Sequence, residues 1–214
     1  MTANNNINDD FPELIPVFPL EGVVMFPDTY LPLNIFEPRY LEMINKAISS
    51  KSRLVGMIQP NNSNQNKLYN VGCAGKIIKF EETEDKRYLI TLKGLSRFEL
   101  ISEKTNGKKF KEAQIKWDRF SQDFEKLNIN EKFTSLKSSL KKYFKIKKIR
   151  VNFEVIDKCN DYNFVDQITM ICPLAFEEKQ LLLETISISK RGDLLQSIIE
   201  SYASEENISQ IVKH

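Results

Sequence analysis

The chain has 214 residues, of which 41% are hydrophobic and 28% charged, a composition typical of a soluble protein with one large or two small domains. Lys and Arg total 31 against 29 for Asp and Glu, so a formal charge of +2 gives no global case for binding nucleic acid or an anionic membrane. No apolar run approaches the roughly 20 residues that cross a bilayer. The Asn-rich start lacks the features of a signal peptide, so we expect a cytoplasmic protein whose residues 1–13 form a disordered tail.

Five prolines interrupt an apolar segment near the N-terminus, at positions 16, 19, 27, 32 and 38. Because proline cannot donate to a β ladder, strands in this segment must be short, bent or at a sheet edge. Pro38 suits the first position of a helix, and apolar residues follow at helical spacing from Tyr40 to Ile48. The sequence therefore predicts a strand that leads directly into a helix.

The next part of the chain predicts a sheet. Residues 54–58 form a buried strand stopped by Pro60, and the polar residues 61–66 form a surface loop. Residues 71–80 and 87–93 predict a hairpin around the polar turn 81–86, with Tyr88, Ile90 and Leu92 on one face and Gly94 ending the second strand. Residues 97–100 and 113–117 also alternate, which indicates a sheet with one buried and one wet face.

Beyond about Arg119 the pattern becomes helical and glycines almost vanish, so we place a boundary there. Apolar stripes predict about four helices, packed on one another or on the sheet, within residues 133–144, 164–172, 175–185 and 194–202. In the third, Leu181, Leu182 and Leu183 are expected inside. The predicted class is α+β, with a β-rich domain over residues 14–119 and a helical subdomain over residues 120–214.

Few residues are suited to catalysis. The sole histidine is His214, the last residue, and none of the seven glycines falls in a phosphate-binding motif. Cys73, Cys159 and Cys172 are odd in number and far apart, which favours buried reduced thiols over disulfides or a zinc site. A Ser-Lys dyad has no marked nucleophile, and the carboxylates of residues 81–85 sit in a solvated turn. We expect a non-enzymatic protein with no catalytic residues, no cofactor and no metal.

A basic run could contact phosphates, with Tyr143 and Phe144 available for stacking on bases. The run consists of Lys137, Lys141, Lys142, Lys145, Lys147, Lys148 and Arg150. The two aromatic residues also continue the apolar stripe that begins at Phe133, which points them inward. A solvated basic face is therefore the favoured alternative to a nucleic-acid site.

Several segments together resemble the Lon protease N-terminal (substrate-binding) domain family. The resemblance is carried by Ile15–Leu20, Met25–Pro27, Leu31–Tyr40, Val71–Ala74, Gly94–Phe98 and Glu178–Glu184. Within them, the structural signature consists of Glu37, Pro38, Gly72, Gly94, Arg97, Phe98, Gln180 and Glu184.

The resemblance implies a bent, PUA-like β-barrel or sheet domain with one inserted helix, followed by a C-terminal α-helical bundle. Cys73 stands where threonine is common, the hairpin lacks the usual aspartate-glycine turn, and Gly192 replaces a usual leucine, which leaves the start of the last helix open. Because these residues include neither an ATPase motor nor a protease domain, the expected protein is a stand-alone member of the family.

The leading hypothesis is a binding module for unfolded or extended polypeptide segments, acting with a protease or chaperone system. Proline-broken edge strands could accept an added strand, and apolar side chains beside them could form pockets. The predicted peptide-binding residues are Phe26, Leu33, Phe36, Arg39 and Tyr40. Core packing at the strand-to-helix junction is favoured over direct contact for Leu33, Phe36 and Tyr40, and a local Glu37–Arg39 ion pair is the corresponding alternative for Arg39. RNA or DNA binding through Lys137–Arg150 is the rival hypothesis; no oligomeric state is predicted.

Overall fold

The protein is described by a computed structural model that covers residues 11–61, 67–104, 107, 109–125, 133–158 and 163–211. The strands are β1 (Leu14–Pro19), β2 (Tyr30–Ile35), β3 (Leu54–Ile58), β4 (Pro60–Asn61), β5 (Lys67–Leu68), β6 (Val71–Glu82), β7 (Tyr88–Lys104) and β8 (Lys111–Lys116). The helices are α1 (Pro38–Ser49), α2 (Thr134–Ile146), α3 (Phe153–Lys158), α4 (Phe164–Ile171), α5 (Phe176–Glu184) and α6 (Ile188–Ile211), with a 3₁₀ helix at Asp118–Phe124. These elements confirm the α+β class.

Six strands form one mixed sheet in the order β2-β7-β6-β3-β1-β8. The β1–β3 pair is parallel and the other pairs are antiparallel. Because β7 pairs with β8 as well as β6, the pairings run in a closed circuit through β7, β6, β3, β1 and β8, and β2 is attached to β7 outside that circuit. Both β1 and β2 are only six residues long, as the prolines predict.

The core lies where alternating strand residues face one another. A buried cluster consists of Ile15, Val17, Leu54, Ile58, Leu68, Ala74, Phe98, Ala113, Ile115 and Trp117. The signature residue Gly72 lies against this cluster, since a Cβ there would stand 2.5 Å from both the Met57 carbonyl oxygen and the Phe98 ring. The absent side chain thus makes room for the aromatic ring at the centre of the core.

The prediction that Gly94 ends a strand is wrong, because β7 continues through it to Lys104. A Cβ at Gly94 would lie 1.9 Å from the Phe26 carbonyl oxygen, so the glycine allows the turn formed by residues 26–29 to approach the strand. The Gly94 amide donates to Thr29 O at 2.9 Å, and the Asp28 amide donates to Gly94 O at 3.0 Å. This glycine permits a close backbone contact rather than breaking the strand.

Two further boundaries differ from prediction. Asn61 is not loop, because Pro60–Asn61 pairs with Lys67–Leu68 in a second, two-stranded sheet. Part of the predicted tail is ordered: the Phe11 ring stacks on Phe124 at 5.1 Å between centroids, and Glu13 O accepts a hydrogen bond from the Ile115 amide at 2.7 Å. Residues 1–10, Cys159 and His214 lie outside the described residues.

By their internal contacts, the described residues divide into two units. One lies within residues 1–126 plus 174–183, and the other within residues 127–173 plus 184–214. This division differs from the boundary at residue 119, which stays a prediction, as does the bundle arrangement of the helices. No helix in the described part of the chain is both long and apolar enough to cross a membrane.

In the first unit, buried polar contacts attach α5 to the sheet. The Gln180 amide donates to Val71 O at 3.1 Å and accepts from the Gln59 amide at 3.1 Å, while Lys179 Nζ donates to Gly22 O at 3.1 Å. Leu182 and Leu183 are buried, but Leu181 is 53% exposed, so the prediction that all three lie inside is wrong. Successive helical residues are about 100° apart around the axis, so three in a row cannot share one narrow face.

The second unit contains α2, α3, α4 and α6, with α6 packed against α2 and α4. Buried Arg191 on α6 pairs with buried Asp166 on α4 and donates to Thr185 O at 2.9 Å. The helix begins at Ile188, so Gly192 does not delay its start. A Cβ at position 192 would lie 2.6 Å from the Phe133 ring, so the glycine makes room for that ring.

One buried cation joins three elements of the first unit. The Arg97 guanidinium on β7 binds Asp123 of the 3₁₀ helix, with Nε–Oδ2 at 2.9 Å and NH2–Oδ1 at 2.7 Å. It also donates to Leu183 O of α5 at 3.1 Å and lies 4.4 Å from the centre of the Phe120 ring. Both charged side chains are buried, so each needs the opposite charge of the other to offset the free energy lost when its charge leaves water.

We expect the Asp123→Asn substitution to lower the free energy of unfolding by about 3 kcal/mol, because it leaves the buried Arg97 charge without its carboxylate. Urea denaturation followed by circular dichroism measures the change. Asp85→Asn is the matched control, since Asp85 pairs with Arg87 at 2.7 Å on the surface and its loss should cost far less. Equal losses for the two variants would contradict the structural role of the Arg97–Asp123 pair.

Candidate functional site

Exposed apolar side chains concentrate on a three-stranded part of the sheet. Along its length β2 pairs with residues 88–93 of β7, which pair in turn with residues 76–82 of β6. We call these three segments the hairpin arm. Among the described strands β2 pairs with β7 alone, so its other edge is open.

Five of the ten large apolar side chains that are exposed in the described residues lie in the hairpin arm or directly after β2. They are Tyr30, Phe36, Ile78, Phe80 and Leu89. Phe80 projects to one side of the arm, whereas Tyr30 and Leu89 project to the other. Clusters of exposed apolar side chains on a soluble protein mark candidate binding surfaces. The hairpin arm is therefore the candidate functional site.

One side of the arm is aromatic and aliphatic. Phe80 lies opposite Ile90, which lies opposite Leu33, so the three form a row across the strands. The Tyr88 ring meets the Phe80 ring edge-on, with centroids 4.9 Å apart. We call Leu33, Phe80, Tyr88 and Ile90 the aromatic face. Ile90 is buried, whereas Phe80 is 42% exposed, so the row runs from the core out to solvent.

The opposite side of the arm mixes apolar and polar side chains, and exposed Leu89 lies there between Asn34 and Glu81. Tyr30 lies opposite Lys93, and Pro32 lies opposite Thr91. Lys93 forms an ion pair with Asp28 at 2.9 Å, and the hydrogen bond from this carboxylate is the main reason that the pKa of Lys93 is raised. Pro32 has no N–H, so the edge strand offers one donor fewer to any strand added beside it.

The tip of the arm is a polar turn. Thr83 organises it: its hydroxyl donates to Asp85 Oδ1 at 2.5 Å and accepts from the Arg87 amide at 3.0 Å. Lys86 adopts a positive φ of 62°, the conformation that glycine takes in an aspartate-glycine turn. The Thr83 hydrogen bond, followed by the Arg87 charge, lowers the pKa of Asp85. Glu81, Glu82 and Glu84 are exposed, as expected for a solvated turn.

The structure separates the five predicted peptide-binding residues. Leu33 is half-buried on the aromatic face. Phe36, one residue past β2, is 64% exposed, so the core packing favoured for it is wrong. Arg39 is exposed, whereas Phe26 and Tyr40 are buried and lie beneath the surface. Their assignment to peptide binding stays a prediction.

The strand-to-helix junction has the form that the sequence predicts. Pro38 is the first residue of α1, and the predicted local ion pair is present, with Arg39 2.8 Å from Glu37. The Arg39 guanidinium also lies over the Tyr40 ring at 4.5 Å from its centre, and the Phe18 ring packs on Tyr40 at 4.3 Å. The signature residues Glu37 and Pro38 therefore belong to the junction between β2 and α1 and not to the aromatic face.

Sequence reasoning missed Phe80 and Tyr88 as site residues. The sequence did contain a signal: apolar residues continue along both strands of the hairpin until they reach the polar turn. Alternation shows which residues share a face, but it does not show whether another element covers that face.

The basic run gives no support to base stacking. Tyr143 and Phe144 are buried, as the inward stripe predicts. Three of the lysine amines lie over rings of the same unit: Lys137 over Phe164, Lys145 over Phe153 and Lys147 over Tyr202, at 5.2, 6.0 and 5.3 Å from the ring centres. These contacts fit a solvated basic face that covers the apolar stripe.

Fold and surface together define an α+β protein with exposed apolar side chains in the hairpin arm. The chain belongs to the ATP-dependent protease La (LON) substrate-binding domain family, which matches residues 14–201. This match confirms the resemblance recognised in the sequence.

Full-length relatives and solved domains agree with this membership. The chain is 23% identical over 208 residues to the Lon protease of Buchnera aphidicola subsp. Acyrthosiphon pisum (strain APS) and 25% identical over 216 residues to Lon protease 1 of Hydrogenovibrio crunogenus. The alignments cover 94% and 95% of this chain but only 26% of each relative, so the chain spans about a quarter of their length.

Two solved structures share the fold. The Lon N-terminal domain protein from Xanthomonas campestris superimposes with a TM-score of 0.60 at 16% identity, covering 86% of this chain and 97% of that one. The N-terminal domain of the Mycobacterium avium complex Lon protease gives a TM-score of 0.58 at 14% identity, covering 87% and 98%.

Tyr40 generates a prediction about pH. Burial is the main reason that its pKa is raised above the ordinary value of 10.0. A phenol that holds its proton more tightly in the folded state contributes stability below pH 10, and that contribution is lost as the pH rises further. We expect the free energy of unfolding to fall between pH 10 and 12, and less steeply in Tyr40→Phe. Urea denaturation at a series of pH values measures this, with Tyr30→Phe, altered at an exposed ring, as the control. An unchanged slope in Tyr40→Phe would contradict it.

Proposed function

We propose that this chain is a non-catalytic recognition module that binds exposed apolar or extended segments of other polypeptides at the hairpin arm. The observation that carries the proposal is the concentration of exposed apolar side chains in the hairpin arm, which has the unpaired edge of β2 along one side. The closed circuit of strand pairings supports the PUA-like barrel that the resemblance implies. Membership in a substrate-binding domain family supports the same role.

The arm has two features that suit an extended ligand. An open strand edge can pair with the backbone of an added segment, and the alternating side chains of that segment then meet the two sides of the sheet. Beside β2, the side chains on one side of the segment meet Leu33 of the aromatic face, and those on the other side meet Tyr30, Pro32 and Asn34. Phe80 lies two strands further in, on β6, so a segment that contacts it must also lie across the aromatic face. Backbone pairing would supply affinity for many sequences, and the side chains would supply preference.

The arm is also preformed. Residues 88–93 are held between β2 and β6, so binding need not order the surface that receives the ligand. Its exposed apolar area is nevertheless small, because Ile90 is buried and Leu33 is half-covered. A surface of this size favours weak, reversible complexes, with a Kd on the order of 10 μM.

The relatives support a biological setting for this role. The proteins that match this chain over its length are named Lon protease, and the chain corresponds to about a quarter of each. We infer that it presents polypeptides to a protease or chaperone system in the cytoplasm. The buried aromatic residues of the basic run favour polypeptide over nucleic acid as the ligand.

We expect Phe80→Ala to weaken binding of a reduced, alkylated and permanently unfolded polypeptide by about ten-fold, because it removes an exposed apolar contact worth about 1–2 kcal/mol. Fluorescence anisotropy with the labelled polypeptide measures the affinity. Ile101→Ala is the matched control, since Ile101 is 52% exposed on β7 outside the arm. Because both changes are at exposed positions, both variants should retain the wild-type circular dichroism spectrum.

A parallel titration with single-stranded RNA, at low and high salt, tests the rival function. Binding of RNA alone, with steep weakening by salt, would overturn the proposal. Equal affinity of Phe80→Ala and Ile101→Ala for the unfolded polypeptide would place the binding surface outside the hairpin arm.

A further inference from the structure

We propose that the segment bound at the hairpin arm carries an arginine or lysine beside its apolar residues, and that the carboxylate of Glu82 receives it. This inference rests on the proposed function and specifies its ligand. The feature that carries it is the position of one exposed carboxylate, without a partner among the described residues, at the outer end of the aromatic face.

Glu82 is the last residue of β6 and lies directly opposite Tyr88. It is two residues after Phe80, so both side chains project to the same side of the sheet. The side chain is exposed, and it forms no hydrogen bond or ion pair with any residue that the structure describes. An apolar ligand lying on Phe80 and Tyr88 would therefore end beside a free negative charge.

The neighbouring basic groups do not neutralise this carboxylate. The tip, residues 81–87, has four acidic and two basic side chains, a net charge of 4 − 2 = 2 negative. One of the two bases, Arg87, is paired with Asp85 at 2.7 Å. Lys79 lies opposite Thr91, on the other side of the sheet from Glu82. Lys86 is then the one other basic residue of the tip, against its three glutamates. The tip therefore keeps a net negative charge that can attract a cation.

The chemistry at this point suits a cation better than any other group. A basic side chain placed here could pair with Glu82 while its charge lies against the Tyr88 or Phe80 ring. Arginine fits best, because its planar guanidinium can bind a carboxylate and stack on a ring at the same time. An acidic side chain would meet like charge, so the same residues also disfavour acidic segments.

A second copy of this chain is a poorer occupant. The open edge of β2 lies two strands away from Glu82 on β6, and the sequence of β2, Tyr-Leu-Pro-Leu-Asn-Ile, contains no charged residue, so pairing of two β2 edges would bring no cation to Glu82. Arg39, the next basic residue along the chain, is engaged with Glu37 at 2.8 Å. Edge-to-edge pairing of two copies thus supplies no partner for Glu82, which favours a foreign segment with its own basic residue.

The test uses three fluorescent peptides that share one apolar core and carry a flanking arginine, glutamine or glutamate. Each peptide is titrated with the whole protein, and binding is followed by fluorescence anisotropy at about 50 mM and about 500 mM salt. We expect the arginine peptide to bind about five-fold more tightly than the glutamine peptide at low salt, and this advantage to shrink at high salt. Glu82→Gln should abolish the advantage without changing the affinity for the glutamine peptide. Glu42→Gln, at an exposed carboxylate of α1, is the matched control and should keep it.

The outcomes separate this inference from the proposed function. Equal binding of all three peptides by the wild-type protein would overturn the role of Glu82 and leave polypeptide binding standing. An arginine preference that survives in Glu82→Gln would also overturn it. No binding of any peptide would overturn both, and concentration-dependent dimerisation that Phe80→Ala abolishes would identify a second copy as the occupant.

Discussion

The first unit depends on one buried charge. Arg97 lies in the interior of the sheet, where its guanidinium meets Asp123, the Leu183 carbonyl and the Phe120 ring. A cation in such a place costs several kcal/mol in lost hydration, which only well-placed partners can offset. Because those partners come from the 3₁₀ helix and α5, both elements must be in position before β7 can bury this residue.

The same strand continues into the candidate site. Residues 94–100 of β7 carry Gly94, Arg97 and Phe98 in contact with the core, whereas residues 88–93 form the centre of the hairpin arm. A binding surface on a continuous strand is held more precisely than one on a loop. The buried signature residues thus set the position of the exposed ones, which explains why recognisable residues and candidate ligand contacts are largely different sets.

The sequence predicts the scaffold better than the surface. Prolines, alternation and the Pro38 start of α1 identify β1, β2, the hairpin and the junction, because each reflects a local backbone constraint. Exposure is not local: Phe26 and Phe80 are both phenylalanines near apolar neighbours, yet Phe26 is fully buried while Phe80 stays 42% exposed. Gly94 misleads for the same reason, since its close contact is with a turn more than 60 residues away.

An open apolar strand edge is also an aggregation hazard, and the arm carries two features that limit it. Pro32 removes a donor from the middle of β2, so an added strand cannot form a complete ladder there. The negative surplus at the tip repels other copies of the same tip. With backbone pairing weakened in this way, side-chain contacts must supply a larger share of any binding energy. The two features that limit aggregation at this edge therefore also make binding depend on the side chains of the bound segment. A surface with this property would accept many segments but not all.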